Sequence, residues 1–212
     1  MRFTVTALTL FASTLALTPA QAGGPARGVV ELFTSQGCSS CPPADATLSN
    51  IIDQGGVIAL AWHVDYWDSL GWKDTFSSPT ATARQATYAQ HIGGGSYTPE
   101  FVVNGSRGSS SNAGVGGGLP VAVHVDGGSV KVASGNGAAN VFLVNFSGSQ
   151  TVPIGRGENA GRSVTYRHVV TGMRKLASWN GSALNLSAGG GGNCAVIVQR
   201  PGQGEIIGAA MC

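Results

Sequence analysis

Charged side chains are scarce in this sequence. Of its 212 residues, 12 are Lys or Arg and 10 are Asp or Glu, and the formal net charge is +2. The basic residues form no continuous run, whereas binding to nucleic acids or to anionic lipid surfaces usually depends on clustered Lys and Arg. We therefore expect no nucleic acid partner.

Long hydrophobic runs are also missing. A membrane-spanning helix needs about 20 consecutive apolar residues, and the closest approach, residues 5–17, is shorter than that. This run follows Arg2 and precedes Ala20-Gln-Ala22, which has the A-x-A form of a secretory cleavage site. We expect residues 1–22 to be a signal peptide that is cut after Ala22. The mature protein would then be periplasmic or secreted, with no stable membrane insertion.

The sequence contains only four cysteines, Cys38, Cys41, Cys194 and Cys212. An even number in an exported protein favours oxidised pairs. Two apolar stretches, 194–199 and 205–210, flank Arg200-Pro-Gly-Gln-Gly204, a pattern typical of a β-hairpin. With the turn at its centre, this hairpin places Cys194 opposite Cys212. We predict a structural disulfide between them.

The most informative motif is Cys38-Ser-Ser-Cys41, which follows the apolar run 29–33. A C-x-x-C between a strand and a helix is typical of thiol–disulfide redox proteins, because free N–H groups at a helix start stabilise a thiolate. We predict that Cys38 is the more exposed, attacking cysteine and that Cys41 resolves the mixed disulfide. The alternatives are a permanently closed structural disulfide and half of a metal site.

A second element of the predicted redox site is Thr98-Pro99, which opens the apolar run 101–103. A cis bond between Thr98 and Pro99 would set the backbone beside the sulfurs, where it could pair with an extended substrate. The alternative is an ordinary trans bond ahead of an edge strand.

The order of the predicted elements indicates an α/β fold. Residues 28–34 and 57–62 are predicted buried strands with a helix over 44–53 between them, which makes a parallel βαβ unit. Ser78-Pro79 starts a second helix that ends at residues 93–95. The strand 101–103 then enters a hairpin at Asn104-Gly105. This order is that of a thioredoxin-like fold.

We assign the thioredoxin-like domain to residues 23–118, of which 106–118 are rich in Gly and Ser and predict a linker. Residues 119–212 predict a β-rich C-terminal domain. Its expected strands before the terminal hairpin are 121–125, 130–132, 141–146 and 163–170.

The segment Trp62–Trp72 concentrates aromatic, histidine and carboxylate side chains after the second predicted strand. It would suit an aromatic-walled groove beside the disulfide, at the sheet edge where sites are built. We name as supporting residues His63, Asp65, Tyr66 and Trp67. His63 could shuttle protons or tune a thiolate and Asp65 could act as a buried acid or base. Aromatic packing and turn capping are equally good explanations, and no complete set of metal ligands or cofactor site is predicted.

Residues 33–45, 63–74 and 97–105, together with Gly157-Glu-Asn-Ala-Gly-Arg162, resemble an uncharacterised secreted bacterial family, domain of unknown function 1223. The resemblance covers nearly the whole predicted mature chain. It implies a thioredoxin-like fold and carries no established biochemical role.

Three functions remain open at this point. The first is an exported thiol–disulfide oxidoreductase that acts on protein or small thiols, with a redox protein as partner. The second is a metal-binding protein in which Cys38 and Cys41 hold copper near His63 or His124, because sulfur ligands suit Cu(I). The third is a structural module whose C-x-x-C only fastens a loop.

Overall fold

The computed structural model describes residues 24–108, 118–189 and 192–212. Over these residues the protein has a mixed α/β fold, with two α-helices and strands in several sheets. The predicted signal peptide, residues 1–22, lies outside this part. None of the described helices is both long and apolar enough to cross a membrane.

Four strands build the first sheet: β1 (Val29–Thr34), β2 (Ile58–His63), β3 (Glu100–Val103) and β4 (Ser106–Arg107). Their order is β2-β1-β3-β4, with β2 parallel and β3 antiparallel to β1. Helix α1 (Pro42–Gln54) connects β1 to β2, and α2 (Pro79–Ile92) connects β2 to β3. The predicted α/β character and βαβ unit are confirmed, and the arrangement does not conflict with a thioredoxin-like fold.

Helix α2 shows why the predicted boundaries hold. The hydroxyl of Ser78 accepts a hydrogen bond from the backbone N–H of Ala81 at 3.2 Å, and Pro79 occupies the first turn. Both features satisfy or remove N–H groups that a helix start leaves unpaired. The helix ends before Gly93, whose φ of 79° suits glycine.

The turn at Asn104-Gly105 joins β3 to β4, because Val103 pairs with Ser106 across two residues with φ of 49° and 82°. A Cβ at Gly105 would lie 2.4 Å from the carbonyl oxygen of Gly204, so only glycine fits there. Residues 106 and 107 form β4, so the prediction of a linker over 106–118 is wrong for these two residues. Residues 109–117 of that linker lie outside the described part.

The second half contains nine strands among the residues that the structure describes: β5 (Val123–Asp126), β6 (Ser129–Val132), β7 (Ala139–Phe146), β8 (Gln150–Pro153), β9 (Ser163–Tyr166), β10 (Val170–Trp179), β11 (Leu184–Ser187), β12 (Cys194–Gln199) and β13 (Ile206–Met211). They form a sheet β10-β7-β12-β13, a sheet β11-β6-β5 and the pair β8-β9. The prediction of one continuous strand over residues 163–170 is wrong. The chain turns at His168, whose φ is 50°, and this separates β9 from β10.

Strands β12 and β13 form the terminal hairpin. Ala195 faces Met211 and Val196 faces Ala210, which is the register expected from the sequence. A disulfide joins Cys194 to Cys212, with the two Cα atoms 5.3 Å apart. It fastens the end of β13 to the start of β12.

The first sheet is buried on both faces, and all six residues of β1 are inaccessible. Val30 and Leu32 pack with α1 in one apolar cluster. Val29 and Phe33 point to the opposite face, in a cluster that also contains residues of α2, β7, β12 and β13. The sequence segments 23–118 and 119–212 thus share an apolar core.

Candidate functional site

The C-x-x-C motif lies in the loop between β1 and α1. Cys38 and Cys41 form a disulfide with a Cα–Cα distance of 5.4 Å. Both residues are 0% exposed. The prediction that Cys38 is the more accessible of the two is therefore wrong for this oxidised state.

The start of α1 offers the sulfurs few hydrogen-bond donors. Pro42 and Pro43 fill the first turn and have no N–H, and the N–H groups of Ala44 and Asp45 both bond to the carbonyl oxygen of Cys41. The expected free N–H groups are thus absent from these first four helical residues. The polar atom that approaches Cys38 Sγ is the hydroxyl of Ser40, at 3.4 Å.

The peptide bond between Thr98 and Pro99 is cis. The side chain of Trp67 ties this turn to the C-x-x-C loop. Its indole N–H donates to the hydroxyl of Thr98 at 2.8 Å, and a Cβ placed on Gly37 would lie 3.1 Å from the Trp67 Cβ. Trp67 therefore lies between Gly37, which precedes Cys38, and Thr98, which precedes Pro99.

A groove of about 350 Å³ opens beside the disulfide loop and the cis-proline turn. Its walls come from the C-x-x-C spacer, α1 and the start of β3, and its lining residues are Ser40, Pro43, Ala44, Thr47, Tyr97, Pro99, Phe101 and Gly108. The aromatic walls are Tyr97 and Phe101, rather than side chains of the segment Trp62–Trp72 that the sequence suggested.

Two of the proposed supporting residues, His63 and Asp65, point elsewhere, whereas the hydroxyl of Tyr66 lies near both Gln85 and Thr98. His63 is buried, and its Nδ1 lies 2.7 Å from a carboxylate oxygen of Asp74. Asp65 accepts a hydrogen bond from the hydroxyl of Thr82 on α2 at 2.5 Å. The hydroxyl of Tyr66 donates to Gln85 at 3.1 Å, also on α2. Asp65 and Tyr66 thus help to hold the segment against α2.

A buried polar cluster lies at the carboxyl ends of β1 and β2, on the α1 side. Its members are Thr34, Asp45, His63, Asp74 and Tyr166, each at most 4% exposed. Burial raises the pKa of Asp45 to about 7, although His63 and a hydrogen bond from Thr34 act in the opposite direction. Burial and the nearby carboxylates Asp45 and Asp74 also raise the pKa of Tyr166.

Three polar atoms of this cluster have no hydrogen-bond partner among the described residues: Asp45 Oδ2, His63 Nε2 and Tyr166 Oη. Buried polar atoms usually find a partner in protein or in ordered water. The cluster is also joined to the C-x-x-C loop, since Asp74 accepts the N–H of Gln36 at 2.8 Å.

The sequence suggested that the β-rich half shapes substrate or partner binding, but it did not predict that this half contacts the C-x-x-C loop. The amide of Asn159 donates to the carbonyl oxygens of Gln36 at 2.9 Å and Cys38 at 2.8 Å. The carboxylate of Glu158 accepts the N–H of Ser39 at 3.3 Å. Both residues belong to the polar run Gly157–Arg162, which carried part of the family resemblance and was the available signal.

Within the residues that the structure describes, no group of three or more His, Cys, Asp or Glu side chains is arranged to hold a metal ion. His63 bonds to Asp74, and His124 lies on β5 with an exposed side chain.

Comparison with known proteins identifies the family. The model for the family described as "Protein of unknown function (DUF1223)" matches residues 29–199. The chain belongs to this family. The match includes the C-x-x-C loop, the Thr98-Pro99 turn and the Gly157–Arg162 loop, so the DUF1223 region contains all parts of the candidate site. No curated protein matches the chain significantly.

Two solved structures are similar to this DUF1223 chain. A crystal structure of a protein from Agrobacterium tumefaciens is 34% identical, with a TM-score of 0.72, over 91% of this chain and 95% of that one. HBP35 of Porphyromonas gingivalis is 16% identical, with a TM-score of 0.55, over 91% of this chain and 76% of that one. The second likeness is one of fold alone.

Proposed function

We propose that the Cys38–Cys41 pair is the redox centre of an exported thiol–disulfide oxidoreductase with a thioredoxin-like first domain. The observation that carries this proposal is a closed disulfide between residues three apart, at the start of α1 and beside the cis Thr98-Pro99 turn. Because both cysteines are buried in this oxidised state, exchange requires the C-x-x-C loop to expose one sulfur to the substrate.

The groove beside the motif supports a substrate that carries a thiol or disulfide. Ser40 and Pro99 line the same groove, so a substrate bound there lies next to the C-x-x-C loop. Tyr97 and Phe101 provide apolar contacts for an extended peptide. A protein cysteine, or the thiols of a redox partner protein, fits this description.

In the proposed reaction a substrate thiolate attacks one sulfur of the pair and releases the other as a thiolate, which takes up a proton. A second substrate thiolate then displaces the remaining protein sulfur. The substrate dithiol loses two electrons and two protons and becomes a disulfide, and the protein pair gains them and becomes a dithiol. The reverse sequence reduces a substrate disulfide.

The test is the equilibrium of the full chain with glutathione buffers, followed by alkylation of free thiols and tryptic peptide mapping. Cleavage at Arg27 and Lys73 places Cys38 and Cys41 together in one peptide, separate from Cys194 and Cys212. We expect a reduction potential for the first pair between about −120 and −270 mV, the range of exchange catalysts. A value below about −300 mV would identify a structural disulfide and refute the proposal.

The variant Cys38→Ala tests the same proposal by activity. Exchange with small thiols should be lost while the Cys194–Cys212 disulfide stays closed, which serves as an internal control in the same molecule. The copper-binding alternative uses the same two sulfurs. It predicts stoichiometric Cu(I) binding by the reduced protein and loss of that binding in Cys38→Ser/Cys41→Ser.

A further inference from the structure

The loop at residues 154–162 in the second half has a fixed position over the C-x-x-C motif. Backbone hydrogen bonds close it, from Ile154 N–H to Arg162 and from Gly161 N–H to Ile154, each at 2.8 Å. Its tip packs on Trp72, because a Cβ on Gly157 would lie 3.0 Å from the Trp72 Cβ. The side chains of this loop therefore reach the motif from a rigid base.

Asn159 anchors the loop to the motif. Its side chain is buried, and both of its hydrogen bonds go to backbone oxygens of the C-x-x-C loop, at Gln36 and Cys38. A single amide thus sets the distance between the two loops. The same contact places the carboxylate of the preceding residue, Glu158, at the backbone N–H of Ser39.

Glu158 affects the chemistry of the pair in two ways. Its carboxylate occupies the N–H of Ser39, the residue next to Cys38, and this donor could otherwise bond to a thiolate on Cys38. It also places a negative charge at the backbone of the residue that follows Cys38, on the exposed side of the loop. Both effects disfavour the thiolate, and the prolines at the start of α1 provide no N–H group to compensate.

We propose that Glu158 is a positioning residue that shifts the equilibrium of the Cys38–Cys41 pair towards the disulfide, and that Asn159 holds it there. This inference rests on the proposed function and adds to it the direction of electron transfer, from the protein to its substrate. The reduced protein donates two electrons and two protons to a substrate disulfide, which becomes two thiols, while Cys38 and Cys41 become a disulfide. A partner protein dithiol then restores the reduced pair and is itself oxidised.

The test measures the equilibrium of the pair with reduced and oxidised glutathione in wild type, Glu158→Gln and Glu205→Gln. Glutamine keeps an oxygen acceptor for Ser39 and removes the charge. At a pH above the pKa of the Cys38 thiol, where the reduced pair carries the thiolate, we expect Glu158→Gln to shift the equilibrium constant about threefold towards the dithiol, which converts to about 14 mV. The shift should shrink in 1 M NaCl, where the Debye length is only about 3 Å. The thiolate absorbance of reduced Glu158→Gln should appear at lower pH than in wild type.

Glu205→Gln is the matched control, since Glu205 is also exposed and lies at the opposite end of β1. The Cα of Glu205 lies next to Gly105. The adjacent residue, Asn104, accepts a hydrogen bond from the backbone N–H of Val29, the first residue of β1. This variant should leave the glutathione equilibrium unchanged. If both variants have the wild-type equilibrium constant with glutathione and the wild-type pair exchanges normally, the inference fails and the proposed function stands. If the wild-type pair does not exchange at all, the proposed function fails and the inference with it.

Asn159→Ala separates positioning from stability. In this background the additional change Glu158→Gln should have less effect on the equilibrium than it has in wild type, because Glu158 is no longer held at Ser39. Equal effects in both backgrounds would contradict the role of Asn159. Urea unfolding of each variant provides the fraction of folded protein for the comparison.

Discussion

Two buried polar clusters lie along β1, three residues apart, and they differ in how well their polar atoms are paired. In the first, Glu31 accepts two hydrogen bonds from Arg84, at 2.6 and 3.0 Å, and one from the hydroxyl of Tyr88 at 2.6 Å. Gln199 of β12 bonds to both Arg84 and Tyr88. In the second, around Thr34, three buried polar atoms have no partner among the described residues.

The difference separates a structural cluster from one that can change its charge. A buried ion pair is tolerated when additional hydrogen bonds satisfy its remaining donors and acceptors, and the Glu31 cluster meets this condition. It joins β1, α2 and the second half in one network. In the second cluster the pKa of Asp45 is about 7, so its carboxyl changes charge near neutral pH. That cluster lies next to the C-x-x-C loop.

The largest effect is expected for Arg84→Met, which leaves Glu31 charged and unpaired in the core. We expect a loss of about 3 to 5 kcal/mol in the free energy of unfolding, measured by urea denaturation. Arg167→Met is the matched control, because Arg167 also bonds to a carboxylate, that of Asp53, at 2.6 Å, but Arg167 is only half-buried and Asp53 is exposed. It should cost at most about 1 kcal/mol. Similar losses in both variants would contradict the comparison.

The second prediction concerns Asp45→Asn and the pH dependence of stability. In the unfolded chain the pKa of Asp45 is near its ordinary value of 3.8, and folding raises it to about 7. Between these values the folded state binds one proton more, so this group makes stability fall as pH rises through the interval. The total loss is on the order of 4 kcal/mol and is complete above about pH 8.

Asparagine removes this titration and keeps an acceptor for Thr34. The unfolding free energy of Asp45→Asn should therefore fall less than that of wild type between pH 4 and 8, and the variant should be the more stable protein at pH 8. Asp53→Asn, at an exposed position of the same helix, should keep the wild-type slope. Identical slopes for wild type and Asp45→Asn would show that Asp45 is ionised in the folded protein throughout.

The smallest effects come from removing one hydroxyl in each cluster. Tyr88→Phe deletes a group with three hydrogen-bond partners and should cost about 1 to 3 kcal/mol. Tyr166→Phe deletes a hydroxyl without a partner among the described residues, so its cost should be close to zero, or the variant should be stabilised. Urea unfolding of the two variants gives the comparison directly. A large loss in Tyr166→Phe would indicate that an ordered water satisfies that hydroxyl.

Much of the fold could be predicted because its signals are local. Ser78 with Pro79 determines where α2 begins, and Asn104-Gly105 determines the turn between β3 and β4. Strand β8 was missed because its side chains are mostly exposed and its sequence shows little apolar alternation. Strand β11 does alternate, with Leu184 and Leu186 half-buried, but its four residues are a short signal in a polar stretch.

The candidate site was harder to predict because its contacts are long-range. Asn159 is 121 residues from Cys38, and no sequence spacing connects the two. The prediction that Cys38 is exposed was wrong for the same reason, since the residues around the motif include some from the other half. The prolines at the start of α1 were visible in the sequence, but their effect was underestimated. They fit a helix start well and they also remove its anion-binding N–H groups.

The apolar core shared between the two halves has a consequence for biosynthesis. Val29, Phe33 and Trp62 pack in a cluster with Ile197 and Ile206, which are synthesised much later. During synthesis, one face of the first sheet thus stays uncovered until β12 and β13 have emerged. Exposed apolar faces of this kind favour aggregation. A chaperone that keeps the nascent chain unfolded would therefore serve this protein better than folding that starts on the ribosome.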